Sequence, residues 1–200
     1  MNSEKIDLEP LSEIIGIGIG KAGEVLNAML DSHVKLSAPS LALATPANLE
    51  EQLFSRSGEK LSAVEMSYSG DFDGSAQLVF ASVDAGKLVD SITEDLQLPD
   101  LDLDSIRAGT LCEIGNIVIN GLLGSIVNVL HCELEYTVPL YTEGSLDEIL
   151  RKVRAEVELI IVVRARFEIE NFSIEGDVLI FLSLSTFARL EAAIRRFVDG

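Results

Sequence analysis

The chain has 200 residues, enough for a sizeable core, and 48% of them are hydrophobic, which excludes a disordered chain. Its formal net charge of -18, from 33 acidic and 15 basic residues, argues against binding to nucleic acid or to an anionic membrane, because both need clustered Lys and Arg. The chain has only two cysteines and an acidic, polar N-terminal stretch, so a cytoplasmic location is expected.

The first half of the sequence predicts six elements. Apolar residues at helical spacing indicate a helix over residues 9–31, and the alternating run 33–45 predicts a strand in which Pro39 requires an edge or a bulge. Asn48 and Glu51 have capping-box spacing and open a short helix to about residue 57. Two strands follow over 61–69 and 75–83, and Asp84 is the predicted N-cap of a helix to about residue 95.

Residues 96–104 alternate Leu with acidic residues and are interpreted as an acidic linker, after which the same order of elements returns. A long helix ends near residue 131 and a strand covers 132–141. Ser145 and Glu148 open a short helix, strands cover about 156–169 and 177–184, and Ser185 or Thr186 caps a last helix. At an offset of 100, the identical residues include those at positions 13, 14, 17, 19, 30 and 39. We interpret the chain as one domain built of two repeats, about 9–95 and 105–199.

The strands of the second half are unusually apolar. Segments such as ELIIVVRARF and VLIFLSL need cover, so an α+β architecture is predicted, with two long helices packed on a mostly antiparallel sheet. The first helix also contains Gly18, Gly20 and Gly23 in a GxGxxG pattern. No strand precedes the pattern, so we expect these glycines to admit a second helix or backbone and not a nucleotide.

One face of the second long helix carries polar side chains. Glu113, Asn116 and Asn120 lie three and four residues apart, so they project side by side. A carboxylate beside an amide on a rigid helix offers an acceptor and a hydrogen-bonding amide to a bound partner. This face is the candidate functional site.

The spacing of these residues resembles the signature of the CheC/CheX/FliY family of chemotaxis phosphatases. That signature is an acidic or Ser residue, three residues, Glu, two residues, Asn, and then 22 residues to Pro. Glu113, Asn116 and Pro139 match it in the second repeat, where the leading position is Gly109.

The first repeat matches the same signature less well. Glu13 and Pro39 stand at the matching positions, but Gly16 replaces the Asn and the leading residue is Glu9. Members such as CheC carry two copies of the motif, so the resemblance implies one intact and one degenerate site.

The resemblance implies a pseudo-symmetric, duplicated CheC-like fold and an enzyme that dephosphorylates the aspartyl-phosphate of a CheY-like response regulator. On this hypothesis Asn116 orients a water in line with the phosphorus, and Glu113 pairs with a Lys of the regulator. The regulator supplies that Lys and Mg²⁺, so no cofactor of the chain's own is expected.

A non-catalytic binding module is the alternative. The middle domain of FliM resembles this family without its catalytic residues, and other relatives bind partners such as the deamidase CheD. The missing Asn at Gly16 favours this alternative, whereas the intact Asn116 favours the phosphatase. The phosphatase hypothesis requires Asn116 to be accessible beside Glu113. The sequence leaves open whether the chain is a monomer or a homodimer.

Overall fold

The computed structural model describes residues 8–30, 34–53, 59–93, 103–151, 157–169 and 172–199. In chain order the elements are α1 (Glu9–Leu30), β1 (Val34–Ala44), α2 (Leu49–Gln52), β2 (Leu61–Gly70), β3 (Gly74–Ala81), α3 (Ser82–Thr93), α4 (Leu103–Leu130), β4 (Leu134–Tyr136), β5 (Leu140–Gly144), α5 (Leu146–Leu150), β6 (Leu159–Ile169), β7 (Phe172–Leu182) and α6 (Leu184–Asp199). The predicted linker lies outside the described residues up to residue 102, and its last two residues already belong to α4.

The strands form one antiparallel sheet in the order β1–β6–β7–β3–β2, with β4 and β5 both paired to β2 at the far edge. Strand β1 therefore pairs with a strand from the second half of the chain, and β4 and β5 pair with a strand from the first half. Each half supplies the outer strand beside the other half, so neither half completes this sheet alone. The predicted α+β, antiparallel fold class is confirmed.

Strand β1 has the irregularity that its proline predicts. It lies at an edge of the sheet, and its register with β6 shifts between Ser37 and Ser40, on either side of Pro39. Proline cannot donate to a strand ladder, so an edge position with a register shift accommodates it.

Helices cover both faces of the sheet. The long helices α1 and α4, with α3 and α6, enclose the larger apolar cluster, and α2 and α5 cover a smaller cluster on the opposite face. Strand β7 contributes to both, since Val178 and Ile180 face the long helices and Leu179 and Phe181 face the other side. A strand that is buried on both faces is apolar at successive positions, which explains its sequence.

The two long helices cross in close contact through glycine. A Cβ atom added at Gly18 would collide with the Gly121 carbonyl and the Ser125 side chain, and one added at Gly121 would lie 2.8 Å from the Ala22 Cβ atom. Gly18 meets Ser125, whereas Ala22, one turn later in α1, meets Gly121, one turn earlier in α4. The two helices therefore run antiparallel. The expectation that helix glycines admit a second helix is confirmed for Gly18, while Gly23 faces Leu36 of β1, 3.2 Å from the added Cβ atom.

Helix α4 is apolar because it lies in the core. By length and composition its segment 104–130 is long and apolar enough to cross a membrane, with a mean hydropathy of 1.5. Half of that apolar window is buried inside the protein, and side chains such as Leu111, Val118 and Leu122 pack in the larger cluster.

Two predicted capping boxes have different outcomes. The box at Ser145 is confirmed, because its Oγ accepts from the Glu148 N–H at 3.3 Å and the Glu148 carboxylate accepts from the Ser145 N–H at 2.8 Å. The prediction of a capping box at Asn48 is wrong, because the Asn48 side chain makes no capping hydrogen bond. The Asn48 Oδ1 atom instead accepts from the Thr45 N–H at 2.7 Å, and α2 ends at Gln52, before the extended Leu53.

Several other predicted boundaries are also wrong. Helix α6 begins at Leu184, and the hydroxyl that accepts from the Thr186 N–H belongs to Ser183, at 3.1 Å. Helix α3 begins two residues before Asp84. The single strand predicted over 132–141 is split into β4 and β5, and β7 begins five residues earlier than predicted.

The helix crossing makes a testable difference between two glycines of α1. Gly18→Ala should lower the free energy of unfolding by about 1–2 kcal/mol, because its methyl group forces the helices apart. Gly20→Ala is the matched control: its Cβ atom meets open space, so the better helix former should raise stability by up to about 1 kcal/mol. Urea denaturation followed by circular dichroism measures both. Equal effects of the two substitutions would contradict this account of the crossing.

Candidate functional site

The predicted site residues lie on the outer face of α4. Glu113 is exposed, and Asn116 and Asn120 are half-buried, whereas Ile114 and Gly115 between them face the core. Within the described part of the chain, the Glu113 carboxylate has no ion-pair or hydrogen-bond partner. Asn116 is accessible beside this carboxylate, as the phosphatase hypothesis requires, although part of its side chain is covered.

Asn116 and Asn120 are directly linked. The Asn120 Nδ2 group donates to the Asn116 Oδ1 atom at 2.7 Å, across one helical turn. Among the described residues the Asn120 Oδ1 atom is buried without a hydrogen-bond partner, and such a group costs about 1–3 kcal/mol. Turning both amides over would bury an unpaired N–H instead, and orphaned N–H groups are rarer than orphaned acceptors in proteins. The Asn116 oxygen therefore points towards Asn120 and keeps one lone pair for a further donor.

Close packing fixes the height of this face above the sheet. A Cβ atom added at Gly115 would lie 2.5 Å from the Val64 Cγ1 atom, so α4 rests directly on β2 below the site. The Cys112 thiol points to the Pro139 carbonyl at 3.9 Å, which joins the helix to the segment between β4 and β5. Burial is the main cause that raises the pKa of the Cys112 thiol, which favours a packing role over a reactive thiolate.

An ionic cluster anchors the first part of α4. Arg107 donates to the Ser82 carbonyl and lies 3.7 Å from the Glu143 carboxylate of β5, which also accepts from the Lys60 ammonium group at 2.8 Å. The hydrogen bond from Lys60 is the main cause that lowers the pKa of Glu143. The sequence analysis missed this cluster because its members are distant in the chain.

An apolar surface of α1 flanks the site. Val25 and Met29 continue the face that Gly18 and Ala22 turn towards α4, at i+7 and i+11 from Gly18. At a rise of 1.5 Å per residue they lie about 10 and 16 Å beyond the crossing. On α4, Glu113 lies about 12 Å on the same side of the crossing.

Val25 and Met29 remain exposed, at 52% and 44%. These two exposed side chains form an apolar wall on α1 at about the level of Glu113. In the second repeat, the residues that correspond to Val25 and Met29 are Ser125, which is buried, and Val129, which is packed against the core. This wall accompanies the site on α4 and has no equivalent beside Glu13.

The degenerate site on α1 keeps an exposed carboxylate but has no amide. Glu13 is exposed, and Gly16 and Gly20 occupy the positions of Asn116 and Asn120. A Cβ atom added at either glycine would meet open space. The amides are therefore absent although a Cβ atom at either position would meet no described neighbour.

Comparison with known structures supports the fold. FliY from Thermotoga maritima is similar with a TM-score of 0.72 and 19% identity, over 98% of both chains. A chain of the FliG–FliM complex from H. pylori has a TM-score of 0.67 and 13% identity, covering 96% of this chain and all of that one. A chain of the complex of CheX with CheY, BeF₃ and Mg²⁺ from Borrelia burgdorferi has a TM-score of 0.51 and 20% identity, covering 90% and 100%.

The fold implied by the resemblance is therefore confirmed. At these identities the likeness concerns the fold alone. No protein-family model matches the sequence.

The ionic cluster predicts a pH-dependent stability. Because the pKa of Glu143 is lowered on folding, its ionised form stabilises the protein above the ordinary value of 4.5, and this contribution is lost as the pH falls through the lowered pKa. Glu143→Gln should lower the free energy of unfolding at pH 7 by about 0.5–1 kcal/mol, a small effect because Lys60 is largely exposed. The difference from wild type should shrink as the pH falls through the lowered pKa and vanish once Glu143 is protonated in both the folded and the unfolded state.

Chemical denaturation at several pH values measures that difference. Glu135→Gln on β4, where the side chain is exposed, is the control and should change little at any pH. A deficit of Glu143→Gln that persists at low pH would assign the effect to packing instead of charge.

Proposed function

We propose that this protein is a cytoplasmic phosphatase that hydrolyses the aspartyl-phosphate of a CheY-like receiver domain. The observation that carries the proposal is the outer face of α4, where an exposed Glu113 carboxylate stands one turn from the half-buried Asn116 amide. Likeness of fold to FliY and CheX supports it. Glu113 and Asn116 are the proposed catalytic residues. Helix α1 has no counterpart of Asn116, because Gly16 stands at that position.

The proposed reaction needs positioning more than covalent chemistry. One lone pair of the Asn116 oxygen accepts from a water, whose oxygen then attacks the phosphorus in line with the bond to the aspartyl oxygen. The bond between phosphorus and that aspartyl oxygen breaks, which releases inorganic phosphate and a free aspartate. The Mg²⁺ ion held by the receiver neutralises charge on the phosphoryl oxygens. No cofactor bound by this chain takes part.

The Glu113 carboxylate fits a recognition role. It is exposed, so it can form a charge-assisted pair with a receiver Lys beside the phosphorylation site. Such a pair would fix the receiver on α4 while Asn116 enters its active site. The rigid packing of Gly115 on β2 holds both side chains at constant height.

The apolar wall beside the site completes the proposed docking surface. Val25 and Met29 are exposed and, by helical rise from the crossing, lie about level with Glu113. We assign this wall to an apolar part of the same receiver domain, because a partner seated on Glu113 would extend over the neighbouring helix at that level. The proposal needs neither a second copy of the chain nor a CheD-like partner.

A non-catalytic binding module is the second candidate. The observation that favours it is the hydrogen bond that already occupies part of the Asn116 oxygen, together with likeness to a chain of the FliG–FliM complex. Such a module would bind a receiver or a CheD-like protein without accelerating dephosphorylation. Turnover distinguishes the two candidates.

The phosphatase proposal predicts different effects for the two copies of the motif. Asn116→Ala should lower kcat about 100-fold, because the water loses its orientation. Glu113→Ala should lower kcat/KM by a similar factor through weaker docking. Glu13→Ala is the matched control and should leave both parameters unchanged. The measurement is the decay of receiver domains from the same organism, phosphorylated with acetyl phosphate.

If Asn116→Ala kept the turnover of the wild type, the reaction would not depend on Asn116 and the catalytic residues would lie elsewhere. Binding of a receiver without acceleration by the wild type would establish the binding module instead.

The docking surface predicts an effect on KM alone. Val25→Ser should raise KM about fivefold to tenfold with kcat unchanged, since it removes apolar contact area from the complex and leaves the reacting groups in place. Ile17→Ser is the matched control, because Ile17 is 53% exposed on the same helix but stands at the crossing, about 12 Å along the helix from Val25. Equal effects of the two variants would contradict the assignment of the wall to the receiver.

A further inference from the structure

We propose that Asn120 is a positioning residue, which orients the amide of Asn116 for the proposed hydrolysis. This inference rests on the proposed function. Asn120 touches neither substrate nor water in this account, and it acts only through Asn116. The geometry behind it is the hydrogen bond of 2.7 Å from the Asn120 Nδ2 group to the Asn116 Oδ1 atom.

The cost of this arrangement argues for a role. The Asn120 oxygen is buried and finds no partner in the part of the chain that the structure describes, so the side chain is held in place for its donor and not for its acceptor. A leucine would fit a half-buried helix position and would remove the orphaned atom. A residue whose only task was packing would not need an amide here.

Comparison of the two repeats also supports a role for Asn120. Residues 13, 14, 17 and 19 are identical to residues 113, 114, 117 and 119, whereas both amides of the second copy are glycines in the first. Gly16 and Gly20 are exposed and a Cβ atom added at either meets open space, so a side chain can begin at either position without a clash. The two amides are thus present together on α4 and absent together on α1, as expected for a functional pair.

The test separates positioning from structure by measuring activity and stability in one variant. Asn120→Leu should lower kcat about tenfold on a phosphorylated receiver, with KM within about twofold of wild type. Its midpoint of thermal unfolding should stay equal or rise, because the orphaned acceptor is gone. Asn128→Ala, on the exposed side of the same helix, is the control and should change neither quantity. Asn120→Ala replaces the leucine variant if the latter does not fold.

A second readout is independent of turnover. Side-chain amide NMR signals of Asn116 should shift in Asn120→Leu and stay in place in Asn128→Ala. Unchanged Asn116 signals, or a normal kcat in Asn120→Leu, would overturn the inference. If the wild type dephosphorylates no receiver, the proposed function fails, and with it the part of Asn120 in positioning a group for hydrolysis. The NMR shift then still decides whether Asn120 orients Asn116.

Discussion

The close contact between α1 and α4 is the constraint on which the rest of the structure depends. Gly18 and Gly121 let the two backbones approach, and the helices then lie side by side on one face of the sheet. Because they run antiparallel, Glu113 of α4 lies on the same side of the crossing as Val25 and Met29 of α1. The crossing thus sets the level of Glu113 relative to these two exposed side chains.

The sheet makes this arrangement rigid. Strand β1 completes the sheet beside β6, and β4 and β5 complete it beside β2, so each half of the chain needs the other. Within that frame Gly115 seats α4 on β2, and Arg107 ties the start of α4 to the strand that follows Pro139. A helix supported at both places is a suitable mount for a pair of side chains that must enter a partner.

Local signals in the sequence predicted much of this fold, and tertiary contacts account for the rest. The outer face of α4, the edge position of Pro39 and the Ser145 capping box follow from spacing and backbone chemistry alone. The capping box predicted at Asn48 does not form, because the Asn48 oxygen accepts from the Thr45 N–H instead. This competing bond is also local and of similar strength. The link of Arg107 to Glu143 and the exposed wall of α1 depend on how distant elements meet, which no local pattern encodes.

The central claim is that a receiver domain docks on α4 beside Glu113 and not on the equivalent face of α1. The most direct measurement is an NMR titration of the labelled protein with a receiver activated by BeF₃ and Mg²⁺. The account predicts that the amide signals of Asn116 and Ile117 shift while those of Gly16 and Ile17 stay in place. Shifts confined to Gly16 and Ile17, or the absence of shifts on both helices with a receiver that binds, would contradict it.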